Sequence, residues 1–250
     1  MALLEARDLT IRFGGVLAID SIGFDVEAGQ IFGVIGPNGA GKTTLLNAIS
    51  SVYKLDAGHI HFGDRDVTNM ASHRLSRLGI ARTFQIVQPF NHMTVRENVA
   101  VGAMYGHARL RQRGEYFDAA DEALQRTGLL AKADFLPPHL TLSDRKRLEV
   151  ARALAMKPRL LLLDEVMAGL NLTEIERTIE LVREINAAGI TVIVIEHVMK
   201  AVLALCDRAM VLNFGRKLTE GKPLDVVNEP AVVEAYLGSR FAKSHAGSAA

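Results

Sequence analysis

The chain has little that would tie it to a membrane, an oxidising compartment or a nucleic acid. A single cysteine, Cys206, in 250 residues leaves no internal disulfide to form, which fits a reducing compartment. Long apolar runs are missing too. Stretches such as Leu160 to Leu163 and Val192 to Ile195 fall far short of the ~20 residues that cross a bilayer. The start, Met1-Ala2-Leu3-Leu4-Glu5, lacks the basic opening and extended apolar stretch of a secretory signal, so no export is expected. Nor is there an excess of charge of one sign. With 29 basic against 28 acidic side chains, there is no global electrostatic case for a nucleic-acid partner. Repeats and low-complexity segments are absent before the tail, where Lys243 to Ala250 reads as a frayed terminus. What remains is an ordinary globular composition, 49% hydrophobic and 23% charged, able to bury one substantial core or two closely packed lobes.

The most informative segment present is Gly36-Pro37-Asn38-Gly39-Ala40-Gly41-Lys42-Thr43-Thr44, set between an apolar strand (Ile31 to Ile35) and a helical segment (Thr44 to Ser50). Its three glycines let the backbone curl with N–H groups pointing inward, a concavity that Cβ atoms would crowd. Helix-start N–H groups complete an anion cradle. Lys42 is placed to reach β- and γ-phosphates, and the Thr43 hydroxyl to ligate magnesium, a cation that keeps most of its waters. The segment therefore predicts binding of a nucleoside triphosphate.

Leu4 to Phe13, Ile19 to Val26 and His59 to Phe62 alternate like strands, with Gly14-Gly15, Gly29 and Gly63-Asp64 as turn signals, and predict an antiparallel sheet. Ile31 to Ile35, Leu160 to Leu163 and Thr191 to Ile195 are continuous apolar runs, as expected of a parallel sheet covered on both faces. From about Thr94 to Met156 the pattern becomes helical. Phe117, Ala120, Ala123 and Leu124 share a face, Gly128 stands at a helix stop and Pro137-Pro138 forms a rigid connector.

Phosphate loops serve many chemistries, so the neighbouring acids matter. Leu160 to Leu163 leads into Asp164-Glu165 at the carboxyl end of a buried strand, where ligands bind in such sheets. Asp164 is expected to hold magnesium and Glu165 to face the attacking water, since successive residues leaving a strand point different ways. Thr191 to Ile195 delivers Glu196-His197 in the same manner. His197 is expected to hydrogen-bond the γ-phosphate and orient the water, against the alternative of a purely structural histidine. Gln85, in Arg82-Thr83-Phe84-Gln85, precedes the helical stretch and is expected to sense magnesium or water.

Together these residues resemble the ATP-binding cassette family, the motor subunits of ABC transporters, over nearly the whole chain. The resemblance implies an α/β fold: a P-loop NTPase (RecA-like) core with an antiparallel β subdomain and an inserted helical subdomain. Residues 1–250 then form one cassette, with a core and β lobe over about 1–93 and 157–240, helices over about 94–156 and a tail at 241–250. It also implies ATP and Mg2+ as ligands, adenine stacked on Phe13, and ATPase activity. Arg12-Phe13-Gly14-Gly15, Arg82 to Gln85, Met93-Thr94-Val95-Arg96-Glu97-Asn98-Val99, Ala168-Gly169-Leu170-Asn171 and Glu234-Ala235-Tyr236-Leu237-Gly238 look like the branched-chain amino-acid uptake branch. That branch implies separate membrane permease subunits, a second cassette (identical or different), an indirect substrate-binding protein and a site at the cytoplasmic face of the plasma membrane. Two other classes stay open: a soluble cassette of DNA repair, translation or iron–sulfur assembly, and a regulatory cassette that scarcely hydrolyses ATP.

One segment departs from the family. Where members carry Leu-Ser-Gly-Gly-Gln, the chain reads Leu140-Thr141-Leu142-Ser143-Asp144. Thr141 keeps a hydroxyl at the serine position, and the alternative register puts Ser143 there, so both are candidate contacts for a partner's ATP. Asp144 brings a negative charge towards that triphosphate unless Arg145 or Lys146 screens it. Val166 also replaces the proline that usually follows the glutamate.

Overall fold

The computed structural model describes residues 2–86, 88–108, 110 and 112–237. In chain order the elements are β1 (Ala2–Phe13), β2 (Val16–Glu27), β3 (Ile31–Ile35), α1 (Lys42–Ile49), β4 (Ala57–Phe62), β5 (Arg65–Asp66), α2 (Ser72–Leu78), β6 (Ile80–Arg82), α3 (Val95–Tyr105) and α4 (Arg113–Arg126). There follow α5 (Leu142–Ala155), β7 (Leu160–Asp164), α6 (Leu172–Ala187), β8 (Thr191–Ile195), α7 (Met199–Leu205), β9 (Arg208–Asn213), β10 (Arg216–Gly221), α8 (Pro223–Val227) and α9 (Pro230–Leu237). Short 3₁₀ turns occupy Leu130–Lys132 and Pro137–His139, the latter built on the Pro137-Pro138 connector. Two compact units result, one ending at Asn69 and resuming at Ile193, the other spanning Met70–Val192.

In the first unit, β1 and β2 pair antiparallel with several register shifts, and β4 and β5 extend this sheet in the order β2-β1-β4-β5. Alternation along β1 buries Leu4, Ala6, Leu9 and Ile11, as a half-covered sheet requires. Strand β3 is buried at all five positions and runs parallel to β9, Ile35 opposite Val211, while β10 pairs antiparallel with β9. Phe24 stacks on Phe32 with ring centroids 5.4 Å apart, and the Arg208 guanidinium lies over the Phe32 ring. Helix α1 begins at Lys42, two residues before the sequence expectation, because Gly41 adopts the left-handed conformation at its N-cap (φ 102) and lets the chain turn into the helix.

In the second unit, β6 and β7 pair parallel, Arg82 opposite Leu162, and α3, α4 and α5 pack on one another. Local chemistry explains α3. Thr94 and Glu97 form a reciprocal capping box, and buried Asn98 bonds the carbonyls of Phe90, Met93 and Thr94 while accepting the Phe90 N–H. The Met93 to Val99 motif is thus a self-anchored helix start. Gly128 follows α4 with φ 67, the helix-stop conformation expected. Phe117 corrects the expected apolar face of α4. It is only half-buried, with Arg113 over its ring, and Ala119 joins Ala120, Ala123 and Leu124 in the core instead. The tail 241–250, Gly238 and Val87 lie outside the described residues.

Candidate functional site

The phosphate loop in the first unit closes on itself. Gly36 has φ 145, and a Cβ there would come within 2.1 Å of the Leu212 carbonyl oxygen, so no other residue fits. At Gly41 a Cβ would meet the Ala18 carbonyl oxygen at 2.8 Å. Gly39 is left-handed but faces open space, so its requirement is conformational alone. Pro37 is half-buried, Asn38 and Gly39 are exposed, and Ala40 is buried, accepting at its carbonyl the Gly215 N–H. Lys42 is 5% exposed and curls back, its Nζ donating to the carbonyls of Gly36 (2.8 Å) and Pro37 (2.9 Å). The ammonium is thereby held at the mouth of the loop. Gly41 has no side chain to cap α1, so the helix start faces the loop without a side-chain cap, with Thr43 and Thr44 half-buried beside it.

The same unit carries Phe13 and His197. Phe13 ends β1 with its ring 46% exposed and the Tyr53 ring edge-on at 5.1 Å, so a face remains for a planar base. The Tyr53 contact, 40 positions away, was not legible in the sequence. His197 is exposed in the bend between β8 and α7, after fully buried β8 and buried Glu196.

The second unit brings the acids together with Gln85. Asp164 ends β7 fully buried, its Oδ2 2.8 Å from an Arg82 nitrogen, and its N–H donates to the Thr83 hydroxyl. Buried Thr83 also ties its N–H to the Leu162 carbonyl, so the ends of β6 and β7 are stitched around the carboxylate. Glu165 follows with φ 51, a left-handed conformation costly for a glutamate and a mark of sites where orientation matters more than local comfort. Gln85 Nε2 donates to Glu165 Oε2 at 2.7 Å. Because a carboxylate only accepts, this bond identifies the amide nitrogen as the end of Gln85 that faces Glu165. Lys146, on α5, donates to the Glu165 carbonyl at 2.8 Å. Val166 is buried where the family has proline. Arg82 and Lys146 find these partners 82 and 19 positions away, beyond the reach of any local pattern in the sequence.

At the start of α5 Thr141 is an ordinary N-cap, its hydroxyl accepting the Asp144 N–H at 3.2 Å. Thr141 is exposed and Ser143 buried, so of the two candidate hydroxyls only Thr141's lies at the surface. Asp144 is 2% exposed and bonded to Lys132 Nζ at 2.5 Å and to Arg147 at 2.8 Å. Burial would push its carboxyl up, but the Lys132 and Thr141 hydrogen bonds with the Lys132 and Arg147 charges hold it below the usual aspartate value. This corrects the expected screen. Arg145 reaches the Pro138 carbonyl and Lys146 the Glu165 carbonyl, while the charge is neutralised from Lys132 and from Arg147, one turn on.

Residues 19–168 match the ABC transporter family model, and residues 216–242 match the model of the branched-chain amino acid ATP-binding cassette transporter. The high-affinity branched-chain amino acid transport ATP-binding protein LivG of Salmonella typhimurium is 38% identical, the alignment covering 94% of this chain and 98% of that protein. The lipopolysaccharide export system ATP-binding protein LptB of Acidithiobacillus ferridurans is 33% identical over 96% and 98% of the two chains. Among solved structures, the ADP conformation of an ATP-binding cassette of an ABC transporter superposes with a TM-score of 0.87 at 31% identity, covering 96% of this chain and all of the other.

Proposed function

This chain belongs to the ABC transporter family of ATPases, and from that membership we propose that it drives an importer of branched-chain or closely related amino acids through separate membrane permease subunits. For cargo, the observation that carries the reading is the match of residues 216–242 to the branched-chain transporter model, joined by the likeness to LivG. The likeness to LptB accords with cargo selection by the permease and an indirect substrate-binding protein rather than by the cassette.

In this reading the phosphate loop, Gly36 to Thr44, holds the ATP phosphates through backbone N–H groups and Lys42, while Phe13 stacks the adenine. Glu165, steadied by Gln85, accepts the proton of the attacking water, and His197 steadies the γ-phosphate. Among the described residues no group of three or more His, Cys, Asp or Glu could cage a metal alone. Magnesium is assigned to Thr43, Asp164 and Gln85 by their chemistry, since oxygen donors suit a cation that keeps its waters. Magnesium bound by them would neutralise charge on the β- and γ-phosphates. A second cassette presents to each ATP the helix that corresponds to α5, with Thr141 at its start where that cassette is a second copy of this chain.

Among the described residues no helix is long and apolar enough to cross a membrane. The likeness to the transport ATP-binding protein LivG supports assigning the permease to other polypeptides and this chain to their cytoplasmic face. The helices over about 94–156 form the coupling lobe. Exposed Phe84, Ile86 and Phe90 offer a permease segment an apolar seat beside Gln85. The test is reconstitution of the chain with its neighbouring permease subunits in vesicles. ATP-dependent leucine uptake, abolished by Glu165→Gln, is expected. Retention of the chain in the soluble fraction, with no permease in detergent extracts, would favour a soluble cassette.

A further inference from the structure

The phosphate loop is held from outside by α9, the last helix among the described residues, through one hydrogen bond that ATP chemistry does not use. The Gly36 N–H donates to the Tyr236 hydroxyl at 2.7 Å, across 200 positions of sequence. Pro37 has no N–H, so this is the single backbone donor of the loop's first two residues, and it points towards α9. The Gly36 carbonyl meanwhile accepts from Lys42 Nζ at 2.8 Å. Both ends of Gly36 are thus engaged, one by α9 and the other by the lysine of the cradle. Its backbone also sits too close to Leu212 for any Cβ, so little slack remains.

Helix α9 is fastened well enough to transmit that constraint. Val232 is buried, and Glu229, just before the helix, accepts from the Thr219 hydroxyl on β10 at 2.8 Å. Between α9 and the outer face of the loop lies a cavity of about 590 Å³, lined by Pro37, Asn38, Gly39, Ala231, Glu234 and Ala235 among others. The loop is therefore not packed tightly on α9. Tyr236, spanning to Gly36, is the polar tie that fixes their spacing.

We infer that Tyr236 is a positioning residue for nucleotide binding, acting through Gly36 on the carbonyls that hold Lys42, and that α9 and the nucleotide are reciprocally coupled. Burial pushes the Tyr236 hydroxyl up from its ordinary range, so it stays a neutral phenol at working pH. Reciprocity follows from linkage: if α9 docking orders the loop for a nucleotide, the nucleotide strengthens α9 docking by the same factor.

The inference rests on the ATPase reading, so the experiment separates the two. ADP binding to the full chain is measured by calorimetry, steady-state ATP hydrolysis by phosphate release, and amide exchange over 230–237 with and without ADP. Tyr236→Phe keeps the ring and removes only the hydroxyl that accepts the Gly36 N–H. Losing one neutral hydrogen bond should weaken ADP binding and raise KM for ATP about fivefold, with kcat within about twofold. In the wild type, ADP should slow exchange in 230–237, and the variant should lose that response. A tyrosine serving only as packing would leave KM and the ADP response untouched. Binding by Tyr236→Phe within about 1.5-fold of wild type, or a loss confined to kcat, overturns the inference. If the variant is too unstable to assay, wild-type exchange decides, and no ADP response in 230–237 overturns it. Failure of the wild type itself to bind ADP would instead overturn the ATPase reading.

Discussion

The ion pair between Arg82 and Asp164 allows a quantitative test of how the acidic end of β7 is built. The two side chains are 6% and 0% exposed and 2.8 Å apart, so the near-zero value typical of surface pairs does not apply. Removing one partner of a buried pair strands the other charge, at a cost of about 3 to 5 kcal/mol. Arg82→Met preserves most of the stem volume and removes the charge. It also removes the guanidinium 5.1 Å above the Phe84 ring, a contact of about 0.5 kcal/mol because that ring is more than half exposed. About 3 kcal/mol of destabilisation is therefore expected, or a melting temperature lower by roughly 6 to 12 °C in a chain of this size. Asp164→Asn keeps the shape and an acceptor, so about 2 kcal/mol is expected. Because the partners touch, Arg82→Met with Asp164→Asn should be less destabilised than the sum of the single changes, by about 2 kcal/mol. Urea unfolding followed by circular dichroism measures all three. An Arg82→Met cost below about 1 kcal/mol with no coupling would refute the reasoning and show the carboxylate to be held chiefly by other groups.

Further outcomes follow from other contacts. Glu165→Gln should leave ADP binding intact and lower ATP turnover by ~10²-fold or more, and a wild-type rate by phosphate release would remove Glu165 from its role. Asp144→Asn should cost about 1 to 2 kcal/mol at neutral pH, the low end for a buried carboxylate because Lys132 and Arg147 are 40% and 30% exposed. Since the Asp144 carboxyl is held below its ordinary value of 3.8 in the folded state, its stabilisation is full above about pH 5 and is lost as pH falls through the lower folded value. The variant's melting temperature should accordingly fall less than the wild type's between about pH 5 and pH 3, and parallel curves would count against the pair. Cys206 is pushed up to about 12 by burial, with Asp207 and Glu196 adding to it, so a thiol reagent at pH 8 should label it only on unfolding; prompt labelling of native protein would contradict its placement. Converting Thr141 to Asp144 into Ser-Gly-Gly-Gln in the Glu165→Gln background should strengthen ATP-dependent dimers by sedimentation, and no gain would mean that the native residues already close the site.

Legibility in the sequence followed the range of the interaction. The phosphate loop could be read because its positive φ angles fall within one short run, where glycine itself is the signal; the Leu212 and Ala18 carbonyl oxygens that also exclude a Cβ at Gly36 and Gly41 lie far off in the sequence and were not legible. The start of α3 was legible for the same reason, since Thr94, Glu97 and Asn98 satisfy each other within five positions. Phe117 was misplaced because periodicity gives the phase of a helix face only to within one residue, and Arg113 holds its ring half out of the core. The residue that neutralises Asp144 along its own helix, Arg147, was within reach of the i, i+3 rule, whereas Lys132 was not, because a turn outside the helix delivers it. Beyond that distance the sequence named residues but not their partners. Gln85 and Glu165, Arg82 and Asp164, and Tyr236 and Gly36 are joined across 80, 82 and 200 positions, each by a hydrogen bond of ordinary length. Single hydrogen bonds leave no periodicity and little composition bias behind them, so no local pattern encodes their pairing. Yet these bonds orient the groups to which hydrolysis is assigned. Substituting one residue at a time would therefore misattribute their effects, and paired substitutions across each bond are what separate a residue that reacts from one that holds another in place.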